Sequence, residues 1–418
     1  MNHQARPHDN QKELQALLEI TRALGATQDL DELLRMVVQY SMDLLGAERA
    51  TIFLYDKMRQ ELYSRVAEGA DELRISVRTG LAGAAARTLE IINVPDVHKD
   101  KRFNPEMDKK TGFHTRSILS CPLTDYDGQL VGVLQVLNKK HGTFDDGDVC
   151  IAAAFSAQAG VALQRAHLIE EYLEKQRLED SLRIAREIQE KLLPRKAPVL
   201  AGFDIACWNR PCDATGGDYC DFLPLDSDRL VVTIGDVSGH GVGPALVSCA
   251  TRAMLRALSS VNDDIEQVLR RVNRLMNADL PDNRFVTAFL GILHGLQGDL
   301  CYGSAGHGPL LWLHGASGKV DILPADGIPV GILEDFGILI PKKILLQSGD
   351  VFGLLTDGFY EWARADGELF GIDRVIETMR FYGKRPAQEI LEALREAVEN
   401  FANSKQTDDL TGIIIKRT

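Results

Sequence analysis

RLVVTIGDVSGHGVGP, residues 229–244, decides how this chain is read. Leu230-Val231-Val232-Thr233-Ile234 is a continuous apolar and β-branched run of strand length. It leads straight into Gly235-Asp236, and the chain then breaks at Gly239, Gly241 and Gly243. A strand fixes the carboxylate of its last residue rigidly, and glycine lets backbone approach a ligand closely. The stretch therefore reads as a strand that presents Asp236 at its tip, a tight loop carrying His240, and a helix opening at Pro244.

Working outward, the same pattern recurs. Val351-Phe352-Gly353-Leu354-Leu355 runs into Thr356-Asp357-Gly358. Gly216-Gly217-Asp218-Tyr219, followed by Asp221, and Thr407-Asp408-Asp409-Leu410-Thr411 each set an aspartate beside a strand-like segment. Singly, an Asp-Gly is an ordinary turn, Asp408-Asp409 a solvated turn and Gly216-Gly217 a flexible loop. As a set, carboxylates converging without Lys or Arg beside them repel one another, and a divalent cation relieves that repulsion. Two oxygen-ligated ions can activate a water and orient a phosphoryl group for in-line attack. Such chemistry needs no serine or cysteine nucleophile. The seven cysteines are scattered, form no CxxC pair and lie in no phosphate-cradling loop, which counts against a thiol-based phosphatase.

The totals narrow the classes further. With 60 acidic against 47 basic residues the net charge is −13, which argues against nucleic acid as a partner. The odd, unpatterned cysteine count predicts reduced thiols and a cytoplasmic protein. The polar start MNHQARPHDNQKELQ is no signal peptide, and no run of 18 uninterrupted apolar residues occurs, so no membrane association is expected.

At 418 residues the chain is long enough for two or three domains. The expected organisation is a disordered tail at 1–13, an α+β domain at 14–164, a helical linker at 165–198 and a second α+β domain at 199–418. In the first domain, Leu14, Leu17, Leu18 and Leu24 share a helix face. A second helix spans about 29–45, with Asp29 as N-cap and Gly46 as stop. Strands follow at 51–55, 62–66, 73–77, 91–94, 118–123 and 130–137. From Asp146 a helix runs to Leu193 and ends at Pro194. Leu168, Leu178, Leu182, Ala185 and Leu192 form a heptad seam there, interrupted by Lys175 and Gln189, which suggests a coiled coil and a parallel dimer. A solvated single helix is the other reading of that segment. The second domain shows strands at 203–209, 219–225, 229–236, 285–293, 300–304, 310–313, 350–355 and 411–416, with helix pairs within 244–280 and 371–402. This is a multidomain α+β protein whose second half is a helix-covered sandwich.

The runs GGDYCDF (216–222), GDVSGHGVGPAL (235–246), SAGHGP (304–309), LLTDGFYEW (354–362) and DDLTGIIIK (408–416), in this order, resemble the PPM family of metal-dependent Ser/Thr phosphatases, in its bacterial partner-switching branch. The resemblance implies an α-β-β-α sandwich holding two Mn²⁺ or Mg²⁺ ions. It implies that Asp236 bridges both ions and that Val237 offers its backbone carbonyl. Asp357 and Asp408 would hold one ion, Asp218 the other, partly through water, with Asp409 beside them. His240 is a candidate general acid, or else a structural histidine in its glycine-rich turn, and His307 reads as structural. Asp236 and Asp357 would be the central catalytic groups. The implied substrate is a phosphoserine or phosphothreonine protein, such as an anti-sigma-factor antagonist. The alternative is a catalytically weak phosphatase-like scaffold that binds a partner.

The first domain resembles a GAF sensor domain through GLAG (80–83), NVPD (93–96), RFN (102–104), TRSIL (115–119) and GVLQVLNK (132–139), in the branch that binds cyclic nucleotides. That branch's Asn-Lys…Phe…Asp-Glu signature is met by Asn138, Lys139, Phe144 and Asp148, while Val149 stands in place of the Glu. Lys139 and Asp148 would clasp the last strand to the following helix. Asp96, Arg116, Ser117 and the helix at 83–87 are the expected pocket wall for a cyclic nucleotide. A GAF domain that binds no nucleotide and serves dimerisation is the other reading. The composite reading is a ligand-regulated phosphatase that dimerises through its GAF and linker helices.

Overall fold

The computed structural model describes residues 7–65, 73–105, 108, 112–280, 284–334, 337 and 339–418. The chain divides into two compact units, Met1–Arg177 and Leu178–Thr418.

The first unit opens with helices α1 (Pro7–Ala26) and α2 (Leu30–Leu45). α1 begins at Pro7, where a residue without N–H costs nothing, and so takes in residues expected in a loose tail. The side chains of Leu14 and Leu17 lie outside the described ones; Leu24 is buried, whereas Leu18 is exposed. α2 starts where Asp29 accepts a hydrogen bond from the Glu32 N–H at 2.8 Å and stops at Gly46, whose φ of 57° is left-handed. Then come β1 (Ala47–Asp56), β2 (Glu61–Ser64), β3 (Leu73–Ser76), α3 (Gly80–Thr88), β4 (Ile92–Val94), β5 (Ile118–Thr124), β6 (Leu130–Lys139) and α4 (Asp146–Leu192). Val66, expected in a strand, lies outside the described residues. The sheet has the order β3-β2-β1-β6-β5-β4, and its pairings are antiparallel. On one face, Leu33, Leu34 and Val37 of α2 and Phe155, Ala159 and Leu163 of α4 pack with Leu119, Leu134 and Val136. On the other, Ala82, Ala85 and Ala86 of α3 pack with Phe53, Leu62 and Val133.

Asn138 knots this unit together. Its backbone is left-handed, with φ 55°. Its Oδ1 accepts from the N–H groups of Arg116 at 2.6 Å and Ser117 at 3.3 Å. Its amide nitrogen donates to Glu48 and to the His114 carbonyl, both at 2.8 Å. Lys139 pairs with Asp148 at the start of α4, and the Phe144 carbonyl accepts from the Asn93 side chain at 2.9 Å. Asn138→Ala strands buried main-chain N–H groups and places a Cβ-bearing residue without a local polar partner at positive φ. The expected cost is about 2–4 kcal/mol, read as a lower urea midpoint for the first unfolding transition of the full chain; an unchanged midpoint contradicts it.

α4 is 47 residues long, and the division between the two units falls within it. Among the described helices it is long and apolar enough to cross a membrane by length and composition; its Ala152, Phe155, Ala159, Ala162, Leu163 and Ala166 are buried in the first unit's core. The expected heptad seam changes character along the helix. Leu168 and Leu178 are exposed, Leu182, Ala185 and Leu192 are half-buried, and Gln189 is buried.

The second unit continues with β7 (Phe203–Arg210), β8 (Tyr219–Pro224), β9 (Arg229–Val237), α5 (Val242–Ser259), α6 (Ile265–Asp279), β10 (Val286–His294), β11 (Asp299–Ala305), β12 (Leu310–Leu313), β13 (Val320–Leu323), β14 (Lys342–Leu345), β15 (Val351–Leu355), α7 (Gly358–Glu361), α8 (Gly371–Tyr382), α9 (Ala387–Ala402) and β16 (Leu410–Arg417). Two five-stranded sheets result, β14-β11-β10-β9-β8 and β13-β12-β15-β16-β7. Phe222, Val232, Ile234 and Phe289 of one meet Phe352, Leu354, Ile413 and Ile415 of the other. α5 and α6 cover the outer face of the first sheet through Leu255, Val268, Leu269 and Val272. α8 and α9 cover the second through Met379, Ile390, Leu391 and Leu394. The α+β, α-β-β-α reading of the sequence holds. β13 and β14 were not foreseen: both are short, exposed edge strands, and the charges of Asp321, Lys342 and Lys343 hide their pattern.

Candidate metal centre

The carboxylates of the second unit come from strand ends of both sheets. Asp236 lies at the end of β9, and Asp218 immediately precedes β8. Asp357 follows β15 by two residues, and Asp408 and Asp409 lead into β16. Cross-sheet hydrogen bonds gather these ends. Thr356 Oγ1 donates to Asp218 Oδ2 at 2.8 Å and accepts from the Thr411 N–H at 2.9 Å. Close backbone approach completes the assembly. A Cβ on Gly217 would lie 2.8 Å from the Val237 carbonyl oxygen, and one on Gly358 would lie 2.1 Å from the Asp409 carbonyl oxygen. Only glycine fits at either place.

Electrostatics sets this cluster apart from ordinary turns. Burial, then the charges of Asp357 and Asp408, push the Asp236 carboxyl up to about 7. Burial, then Asp408, push Asp357 up to about 6. Asp218 is raised well above the usual carboxylate range by burial and by Asp236, and Asp408 is raised mainly by burial. Among the described residues no Lys or Arg forms an ion pair with Asp218, Asp236, Asp357 or Asp408, although the unit is rich in ion pairs elsewhere. Converging oxygens that hold protons against their nature suit hard divalent cations. The residues present therefore fit a Mn²⁺ or Mg²⁺ centre made of Asp218, Asp236, Asp357 and Asp408, with the Val237 carbonyl close by.

The neighbouring aspartates separate in role. Asp409 spends both oxygens on main chain, accepting from Cys212 N–H at 2.7 Å and Gly217 N–H at 2.6 Å. It braces the Asp218 loop instead of pointing its carboxylate at an ion. Asp221 is buried against Arg252 and Arg256 of α5, at 3.2 and 2.8 Å, and ties that helix to β8. His240 is largely exposed, and its Nδ1 lies 2.6 Å from Asp213 Oδ2. His307 is buried, its basicity lowered by burial to about 4, and its Nδ1 lies 3.4 Å from Thr287 Oγ1, which accepts from the Asp236 N–H at 3.2 Å. Arg210 is committed to Glu399 and Gln406, both at 2.7 Å. With no cation bound, the Cys212 thiol is pushed up to about 12 by burial and nearby carboxylates, so it is no free thiolate nucleophile.

Two contacts escaped the sequence reading. Gln189, taken as a break in the heptad seam, donates from Nε2 to the Gly216 carbonyl at 2.6 Å, and its Oε1 accepts from the Gly216 N–H at 3.0 Å. The end of α4 thus grips the loop that carries Asp218. A buried polar residue at a seam position was the available signal. Arg284 donates to the Ser238 carbonyl, two residues beyond Asp236; nothing in its local sequence marks it.

In the first unit, the residues expected to wall a ligand pocket are spent locally. Asp96 caps a turn through the His98 N–H at 3.1 Å and pairs with Lys99 at 2.9 Å. Arg116 pairs with Glu48 at 2.6 Å, and Ser117 joins the Asn138 knot. A cavity of about 170 Å³ lies elsewhere, on the α3 side of the sheet. Thr51, Gln135, Thr115, Asn104 and Phe103 line it, and it meets α3 at Gly80–Ala82; Ala86 and Arg87, within the expected 83–87 segment, line a second and larger cavity of about 630 Å³.

Residues 226–418 match the family model described as Stage II sporulation protein E (SpoIIE), and residues 29–163 match that of the GAF domain. The chain joins a GAF domain to a SpoIIE-family phosphatase domain. The phosphatases of this PP2C type are metal-dependent and use Mn²⁺ or Mg²⁺. The SiaA-PP2C domain of Pseudomonas aeruginosa superimposes with a TM-score of 0.52 at 24% identity, covering 59% of this chain and 98% of that one, which shows the shared fold. The probable 3′,5′-cyclic phosphodiesterase pde-5 of Caenorhabditis elegans is 31% identical over 187 residues, 41% of this chain and 25% of its own length. The dual 3′,5′-cyclic-AMP and -GMP phosphodiesterase 11 of Drosophila melanogaster is 31% identical over 202 residues, 44% of this chain and 14% of its own. The chain thus spans a quarter or less of these curated relatives.

The raised carboxyls of the SpoIIE domain make a prediction about pH. A carboxyl raised in the folded state contributes stability that is full below its unfolded value near 3.8 and is lost as pH rises through the folded value. Metal-free protein should therefore lose stability progressively between about pH 4 and 7. Mn²⁺ at a hundred times its Kd should stabilise the protein by about 2.7 kcal/mol at pH 8, and the same Mn²⁺ concentration should stabilise it less at pH 5.5, where protons compete for the carboxylates. Thermal melts with and without Mn²⁺ at the two pH values check this; an equal Mn²⁺ effect at both contradicts it.

Proposed function

We propose that this chain hydrolyses phosphoserine and phosphothreonine on a signalling protein and that its GAF domain regulates the reaction. The convergence of Asp218, Asp236, Asp357 and Asp408 from both sheets, with proton affinities raised by burial and by neighbouring carboxylates and with no Lys or Arg paired to them among the described residues, carries the reading. When bound, the two Mn²⁺ or Mg²⁺ ions supply the positive charge and Lewis acidity that phosphoester hydrolysis requires. The chain's own part is positioning. Thr356 and Asp409 fix the Asp218 loop from the second sheet. The Thr287 hydroxyl anchors the main chain at Asp236, with His307 beside it. Arg284 holds a guanidinium next to the Asp236 strand end, suited to a phosphate oxygen. Val242 and Leu246 at the start of α5, and Phe285 beside Ser238, are exposed apolar side chains of the kind that dock a protein.

In this reading an anti-sigma-factor antagonist is the substrate class, the enzyme is cytoplasmic, and nucleic acid plays no part. The names of the phosphodiesterase relatives support a cyclic nucleotide as the GAF ligand, in the cavity beside Thr51 and Gln135. The exposed Leu168, Leu178, Ile184 and Ile188 of α4 support a homodimer through the linker helix. The test is phosphate release by the full chain with Mn²⁺ from phosphoserine, phosphothreonine and phosphotyrosine peptides of one sequence. Release from the first two and little from the third supports the reading; no release from any of them sinks it.

A further inference from the structure

A second group of donors stands beside the carboxylate centre and serves no part of it described so far. Cys212 Sγ, an Asp213 carboxylate oxygen and a His240 ring nitrogen all lie within 4.8 Å of one another. We propose that Cys212, Asp213 and His240 form a separate binding site for a soft or borderline divalent cation such as Zn²⁺.

The donor set is the argument. One sulfur, one nitrogen and one oxygen make a ligand set that Zn²⁺ accepts readily, whereas Mg²⁺ and Mn²⁺ prefer the all-oxygen set of the aspartates. The two sites thereby sort ions by chemistry although they share loops. His240 Nδ1 and Asp213 Oδ2 already stand 2.6 Å apart, so both loops present their donors to one point. The loops are held by contacts independent of any ion at this point. The Cys212 N–H is fixed on Asp409 at 2.7 Å, and Gly239 and Gly241, at φ 84° and 91°, shape the turn around His240. His240 and Asp213 are exposed, so an ion reaches them from solvent. Three protein ligands leave a fourth position to water, the arrangement of an exchangeable rather than a buried structural zinc. An ion here would link the loop before Asp218 to the loop after Asp236. The binding itself does not depend on the phosphatase activity proposed above.

The test uses full-length protein saturated with Mg²⁺ and titrated with Co²⁺, whose absorption reports thiolate ligation without reference to turnover. One equivalent should give a thiolate-to-cobalt charge-transfer band in the near ultraviolet, and Zn²⁺ should remove it. Cys212→Ser should abolish the band, and Cys150→Ser, at an exposed cysteine outside the group, should keep it. Because His240 is exposed, His240→Ala keeps the test decisive if Cys212→Ser folds poorly; it should weaken Co²⁺ binding about tenfold or more. Absence of the band in the parent protein, its survival in Cys212→Ser, or unchanged affinity in His240→Ala overturns the proposal.

Discussion

Asp236→Asn should lower Mn²⁺-supported hydrolysis of p-nitrophenyl phosphate by about a thousandfold or more, which corresponds to about 4 kcal/mol of transition-state stabilisation. The substitution keeps the shape of the side chain and removes its charge. Burial, and then the charges of Asp357 and Asp408, raise the Asp236 carboxyl to about 7, so it stands where the fields of its neighbours overlap. An amide there offers one neutral oxygen in place of a carboxylate, and Mn²⁺ affinity should fall with the rate. The fold should survive, because the Asp236 N–H, not its side chain, bonds Thr287. Loss of rate, with a metal-free melting temperature no lower than the parent's and a smaller rise on adding Mn²⁺, is the expected set of results. A rate within a few-fold of the parent's would mean that the chemistry lies elsewhere.

Gln189→Ala should weaken Mn²⁺ binding by about tenfold to a hundredfold while leaving every carboxylate in place. The two hydrogen bonds of this amide satisfy both main-chain polar groups of Gly216, and both bonds are buried. Truncation strands a buried N–H and a buried C=O, at about 1–3 kcal/mol each. The strain falls on the loop that places Asp218, because Gly217 is packed against Val237 and cannot absorb it. Calorimetric titration with Mn²⁺ measures the effect. If Gln189→Ala lowers the melting temperature but leaves Mn²⁺ affinity unchanged, the contact is merely structural and the linker helix does not act through it.

The sequence revealed the site where periodicity and chemistry coincide. Asp236 and Asp357 stand out because each follows a continuous apolar strand that ends in a glycine-bearing turn. Asp408 and Asp409 are adjacent and chemically alike, so only the fold separates them: the N–H groups of Cys212 and Gly217 claim Asp409. Gln189 was visible as a break in the apolar seam, but its partner lies 27 residues on, in a loop whose position depends on tertiary packing. In the GAF domain, proximity in motifs pointed to Asp96, Arg116 and Ser117, yet all three are used by nearby backbone and Glu48. Strand alternation was the better signal there. Arg49, Thr51 and Phe53 on β1, and Gln135 and Leu137 on β6, share the face that lines the cavity. The edge strands β13 and β14 were illegible because a solvated edge tolerates charge at any position.

Metal dependence tests the central claim most directly. Full-length protein stripped with a chelator and dialysed should release no phosphate from p-nitrophenyl phosphate above the Asp236→Asn background. Adding back Mn²⁺ should restore turnover and saturate at two bound ions per chain. Undiminished turnover by the stripped protein would contradict the account.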